Sequence, residues 1–289
     1  MLSLFQAEWL KTTGNRWMVG LLVWLFPVGI TVFFLAGAIV TLLIQPTGGA
    51  LPAADLRWTV QAIAVWQIPT AFPGTLFILG LAANVFAGES AWNTWKNIVP
   101  LNRRAHLILV KYLTVGAVIF VAFNLAALGT ALGASLMTLA SGQSIEPIPD
   151  GAVLEQFLGD YLIAMFVGFV STLVTTAYAA LAALFARSIL FGVIGGLMLQ
   201  LLDQGIVALL FILSQVLEQP RIVILHQLTP SYNLGNAGLL LGGGQGFTGF
   251  AEYAGTVPNS LGLSLLILGA WLLGLGLLNL FFFLRRDVR

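Results

Sequence analysis

Apolar residues run along this chain in long stretches rather than alternating with polar ones. Six stretches, at about 17–44, 59–86, 107–140, 158–186, 188–215 and 260–284, carry few charges. A helix rising 1.5 Å per residue needs about 20 apolar residues to cross about 30 Å of hydrocarbon. Each stretch therefore predicts a transmembrane helix, and the longer ones predict tilt or extension past the headgroups. Pro27, Pro69 and Pro73 fall within the first two, where neighbouring helices can satisfy the freed backbone groups. Ahead of the first stretch, Leu2, Phe5 and Trp9 share one helical face while Gln6, Glu8 and Lys11 point elsewhere, and Gly14 is a stop signal. This predicts a short amphipathic helix over 2–13 lying in the membrane interface. The first apolar run, about 27 residues after Arg16, exceeds the roughly 7–15 residues of a signal-peptide core, so it is expected to stay in the protein.

Composition sharpens this to an all-α integral membrane protein. Hydrophobic residues make up 59% of the 289 and charged ones 8%, against about a quarter charged in a soluble domain. Lipid is therefore the expected solvent, and no basic patch interleaved with aromatics points to nucleic acid. Cysteine is absent, which excludes disulfides, thiolate metal sites and cysteine nucleophiles. The net charge of +1 conceals an asymmetry. With the N-terminus inside, the cytoplasmic face receives Lys11, Arg16, Lys96, Arg103, Arg104, Lys111, Arg187, Arg285, Arg286 and Arg289. The outer face receives Arg57 and Arg221. The positive-inside rule then places both termini in the cytoplasm, while Asp55, Glu146, Asp150, Glu155, Asp160, Glu218 and Glu252 lean outward.

Candidate chemistry concentrates in three places. The cytoplasmic loop 88–106 carries Glu89, Trp92, Thr94, Lys96 and Arg103; Ser90 is a candidate cap for a helix starting near Ala91, and Pro100 a stop. Trp92 and Trp95 with Ile98 and Val99 give an apolar stripe that suits either an interfacial belt or a cytoplasmic partner. In the fifth stretch Gln200, Asp203 and Gln204 follow i, i+3, i+4 spacing on one helical face, with Gln67 and Asn124 as candidates for the same polar zone. An intramembrane carboxylate marks a substrate path or proton relay, or glues helices together; both readings stand. The outer loop 216–259 holds His226 and a glycine-rich stretch, 241–246, that lacks the Lys and Ser/Thr of a phosphate loop. Its segment 221–228 is expected as a helix or strand on the outer surface. His106 and His226 fall on opposite sides and share no metal site. Gly192, Gly195 and Gly196 predict close helix packing. The P-loop, HExxH and G-x-S-x-G motifs are missing, so no catalytic residue is assigned.

Glu89, then Asn93-Thr94, Pro100, Arg103 and Lys111 resemble the ABC-2 type permease family of ATP-binding-cassette transporters, in which a glutamate precedes a Gly-Thr pair, Pro-x-x-Arg and a lysine entering the next span. Asn93 departs from the family's glycine. Ala7-Glu8-Trp9-Leu10-Lys11 resembles the family's opening helix, and Phe283-Leu284-Arg285-Arg286-Asp287-Val288 its ending, so the resemblance covers the whole chain as one permease domain, 1–289. It implies a prokaryotic inner- or plasma-membrane exporter subunit that pairs with a second copy or related permease and rests on two separate ABC ATPase subunits. ATP and Mg would belong to those subunits, with no cofactor in this chain. Glu89, Trp92, Thr94, Lys96 and Arg103 would couple to the ATPase, with a second contact at Arg187–Ser188. The alternative from another class is an ion-gradient-driven secondary transporter centred on Asp203.

Overall fold

The computed structural model describes residues 2–15, 20, 25–44, 56–91, 104–249, 251–255 and 257–285, and every regular element among them is helical. In chain order these are α1 (Leu2–Gly14), α2 (Leu25–Ile44), α3 (Trp58–Ala64), a 3-10 helix (Val65–Thr70), α4 (Phe72–Ala91), α5 (Arg104–Ala140), α6 (Gly151–Ala186) and α7 (Ile189–Val216). A second 3-10 helix (Pro220–Leu228), α8 (Pro230–Leu241), the single turn α9 (Ala251–Ala254) and α10 (Leu261–Leu284) follow. Five helices among the described residues, in α4, α5, α6, α7 and α10, are long and apolar enough to cross a bilayer. The chain is an all-α membrane protein. The first expected span falls partly outside the described residues; its described part, α2, holds a shorter apolar stretch, Pro27–Leu43.

The second expected span is not one helix. Its run breaks into α3, the 3-10 helix and α4, with Ala71 extended at ψ 148°. Pro69 lies inside the 3-10 helix and Pro73 in the first turn of α4, the turn that tolerates a residue lacking an N–H. At this break a side chain on Gly74 would collide with the carbonyl oxygen of Ile68.

Contacts divide the described chain into two compact units, to both of which α5 and α6 contribute. One comprises residues 75–112 and 170–289. Here α4, α6 and α7 approach through small residues. A Cβ on Gly192 would lie 2.8 Å from the methyls of Ala83 and Ala183. One on Gly196 would lie 2.7 Å from Leu79 and 2.9 Å from the Ala179 backbone, and one on Gly195 2.8 Å from Ala182. The expected close packing is realised, and Leu79, Ala82 and Ala179 are fully buried at its centre. Farther along, Val174, Ala177 and Tyr178 of α6 pack with Leu275 of α10.

The other unit comprises residues 2–74 and 113–169. Trp66 is buried at its core, its indole N–H donating to the Tyr161 hydroxyl at 3.1 Å. Gly168 leaves room for the Trp66 backbone, and Gly133 for the ring of Phe34. The Asp150 carboxylate caps α6 by accepting from the Val153 N–H at 2.8 Å. In α1 the expected polar face is inverted at one position. Glu8 and Thr12 are the buried residues, and Leu2 is 74% exposed. Glu8 forms an ion pair with Lys11 one turn on, at 3.7 Å, which offsets part of the cost of burying its charge.

Candidate functional site

Glu89 sits in the last turn of α4 and Lys111 two turns into α5, on either side of the segment 92–103. Both side chains are withdrawn from solvent, with exposures of 1% and 0%, and their charged atoms are 2.6 Å apart. The Lys111 ammonium also donates to the carbonyl oxygen of Val85 at 2.7 Å. A lysine so deeply buried is tolerated because a carboxylate and a carbonyl together replace its water. The consequence is mechanical: the pair bolts the end of α4 to the start of α5. At the same end of the unit, Arg104 donates to the carbonyl oxygen of Leu284 at 2.7 Å. This places a cation against the C-terminus of α10, where the helix dipole favours it.

Of the expected coupling residues, Glu89 is thus placed, while Trp92, Thr94, Lys96 and Arg103 lie outside the described residues. Ser90 does not open a new helix; α4 continues through it to Ala91, its last turn held by Glu89. At the Arg187–Ser188 turn, Arg187 adopts the left-handed region at φ 59°. The Ser188 hydroxyl caps α7 by accepting from the Phe191 N–H.

The segment after α7 is largely helical. Pro220–Leu228 is a 3-10 helix packed along α7, and α8 packs against α10. At the junction between them the Asp203 carboxylate accepts from the Ser231 hydroxyl at 3.0 Å and the Ser231 N–H at 3.3 Å; the hydroxyl also lies 2.9 Å from the Asp203 carbonyl oxygen. From Val216 back to Asp203 is about 20 Å of helix at 1.5 Å per residue. The segment therefore folds back along α7 as a hairpin, and of the two forms expected for 221–228 it is a helix. The physical reason is the aspartate: a mid-helix carboxylate in apolar surroundings needs donors, and the first turn of α8 supplies them. Thr229 caps that turn, accepting from the Tyr232 N–H, with Pro230 next in sequence.

Asparagines fasten the other side of the hairpin. Asn233 and Asn236, both fully buried, lie one helical turn apart. Asn233 donates to the carbonyl oxygens of Gln227 and Thr229, each at 2.8 Å. Asn236 donates to the Asn259 carbonyl oxygen and the Ser264 hydroxyl while accepting from the Phe247 N–H. Asn259 donates to the Gln227 carbonyl oxygen and to Asn233, and Trp271 donates to the Leu228 carbonyl oxygen. Poorly aligned 3-10 carbonyls thus find side-chain donors. Sequence reasoning missed this network. Its readable signal was Thr229-Pro230, a cap followed by the favoured first-turn proline, with two asparagines at i, i+3 spacing after it.

The five polar candidates for a path do not share one environment. Gln200 is buried and accepts from the Thr175 hydroxyl at 3.1 Å, Asp203 meets Ser231, and Gln204 is exposed. Asn124 belongs to the other unit, where its side-chain oxygen accepts from Tyr161 at 2.8 Å and its NH2 donates to the Phe120 carbonyl oxygen. Gln67 is exposed there on the 3-10 helix. Among the described residues no cluster of three or more His, Asp or Glu side chains comes together to hold a metal. No family model matches the sequence, and no curated protein matches it.

Proposed function

We propose that this protein is the permease subunit of an ABC-2 type exporter, a membrane component moved by ATP hydrolysed in two separate nucleotide-binding subunits. The observation that carries the reading is the Glu89–Lys111 pair. It joins the two helix ends flanking 92–103, so a force on that segment moves α4 and α5 as one body instead of being absorbed at a loose loop. Trp92, Thr94, Lys96 and Arg103 would form the surface on which the ATPase pushes, with Arg187–Ser188 as a smaller second contact. The folded-back hairpin supplies structure beside the middle of α7, where a purely outer loop would leave none. The chain would act in the inner or plasma membrane of a prokaryote with both termini in the cytoplasm, and ATP and Mg would be bound by the partner. The alternative of an ion-gradient carrier rests on Asp203. That carboxylate is engaged by two Ser231 donors, which suits a structural fastening better than a proton-exchanging group.

The test is gentle-detergent purification of the tagged chain from its native membrane, with mass spectrometry and an ATPase assay on the eluate. The reading expects a stoichiometric nucleotide-binding subunit and ATPase activity that disappears when the loop 92–103 is replaced by a glycine–serine linker. Ion-gradient-dependent transport by the purified chain alone would overturn it.

A further inference from the structure

One end of α10 gathers positive charge beside exposed apolar side chains, all within the unit formed by residues 75–112 and 170–289. The guanidinium carbon of Arg285 lies 4.2 Å from the centre of the Phe281 ring, one turn back on the same helix face. Among the described residues this guanidinium enters no ion pair and donates no hydrogen bond. A ring contact occupies no N–H, so its donors stay available to an oxyanion. Arg104 of α5 reaches the same end, donating to the Leu284 carbonyl oxygen at 2.7 Å. On another side Phe185 of α6 meets Phe282 edge-on at 5.7 Å, which brings the exposed Arg187, two residues on, to this end as well. Three cations thus surround one helix terminus. The described carboxylate at that end, Glu89, is committed to Lys111.

We propose that this end of α10 holds an anionic phospholipid, its phosphate on Arg285 and Arg104 and an acyl chain along Phe281, Leu278 and Leu277. Two features side by side select this occupant. The charge calls for an anion, and a guanidinium fork fits the paired oxygens of a phosphate; basic clusters between membrane helices bind acidic headgroups for this reason. The second feature is the hydrocarbon beneath the charge. Leu277 and Leu278, exposed at 65% and 47%, stand one turn before the exposed Phe281, on the face that carries Arg285. A row of apolar side chains that ends in a cation matches an amphiphile, with its head at the arginines and its chain along the helix. A soluble phosphate would leave that row uncovered. A zwitterionic headgroup would bring an ammonium as well, and the one described carboxylate at this end already serves Lys111. Positive-inside insertion accounts for arginines near span ends, but not for their convergence on one helix terminus over an exposed phenylalanine.

The site needs no ATPase, so it stands or falls separately from the exporter reading. The test is native mass spectrometry of the full-length chain in detergent, titrated with dioleoyl phosphatidylglycerol and, in parallel, with dioleoyl phosphatidylcholine. The first phosphatidylglycerol is expected to bind about tenfold more tightly than phosphatidylcholine, since each basic residue near an anionic headgroup contributes about fivefold. Arg285→Gln should weaken phosphatidylglycerol about fivefold and leave phosphatidylcholine unchanged. Its lipid-free melting temperature should match the parent's, because position 285 is exposed. Arg221→Gln removes the same charge from an exposed position at the start of the second 3-10 helix and should bind phosphatidylglycerol as the parent does. Equal affinity for the two lipids would overturn the proposal. So would an equal loss in Arg221→Gln, which would reveal a diffuse effect of charge, or displacement of the lipid by glycerol phosphate, which would make the site one for a soluble phosphate.

Discussion

Lys111 illustrates how much one side chain can commit a fold. With no exposure at all, its ammonium is held between Glu89 and the Val85 carbonyl. Removing one member of such a pair strands the other; the cost is typically about 3–5 kcal/mol, whereas replacing both with apolar residues of similar volume is often neutral. Glu89→Met and Lys111→Met are therefore each expected to lower thermal stability sharply in detergent. The double variant should recover most of the loss, as read by a thermal series on monodisperse protein. Stability and coupling then separate. The double variant keeps a packed joint but loses the directional bond between α4 and α5, so transport per ATP hydrolysed should fall even where the fold is restored. Equal damage in the double variant would show that the pair acts as two independent contacts. In the sequence both residues were visible as charges at span ends, and the resemblance singled out Glu89 for a partner. Their mutual burial was not visible, because a pairing across 22 positions leaves no local pattern.

At the scale of the element, the long apolar runs were the most legible part of the chain. The boundaries expected for α5, α7 and α10 lie within three residues of those observed, whereas α6 begins at Gly151, seven residues before its expected start, because the helix extends past the apolar run through Glu155. The glycines of α7 were equally readable as a packing face. Here Gly196→Ala is expected to cost about 1–3 kcal/mol, the range for forcing extra atoms into a packed interface. Its new methyl would sit 2.9 Å from the Ala179 backbone, which cannot rotate aside as a side chain can. Gly269→Ala on α10, where a Cβ meets nothing within 4 Å, should be neutral in the same thermal assay. Less legible were the elements that break a rule of periodicity. The second run reads as one span, yet Pro69 and Pro73 divide it. The segment after α7 reads as a polar loop, yet Asp203 draws it back along the helix. In both cases a single residue outweighs the average hydropathy around it, and a pattern taken over about 20 positions does not register it.

For the whole molecule, orientation decides whether any cytoplasmic partner can reach the loop. With six spans, the charge pattern would put Lys96, Arg103, Arg104, Arg187 and Arg285 on one side. Within one unit, Arg104 at the start of α5 meets the end of α10, which ties the loop's side to the C-terminal side. Biosynthetic insertion retains short positively charged loops in the cytoplasm, so residues 92–103 and 187 should be inside, and 141–150 and 242–249 outside. The absence of cysteine makes this measurable without background. Ser144→Cys and Gln245→Cys, both at exposed positions, are expected to react with a membrane-impermeant maleimide in intact cells. Arg187→Cys, also exposed, should react only after permeabilisation. The position at 245 carries additional weight. The hairpin returns from Asp203 along α8, a 12-residue helix about 18 Å long at 1.5 Å per residue, which is enough to bring its far end back to the level of Val216. Labelling at 144 but not at 245 would mean that the hairpin does not return to the outer surface. Labelling at 187 in intact cells would invert the molecule, put 92–103 outside, and remove the segment on which a cytoplasmic ATPase could act.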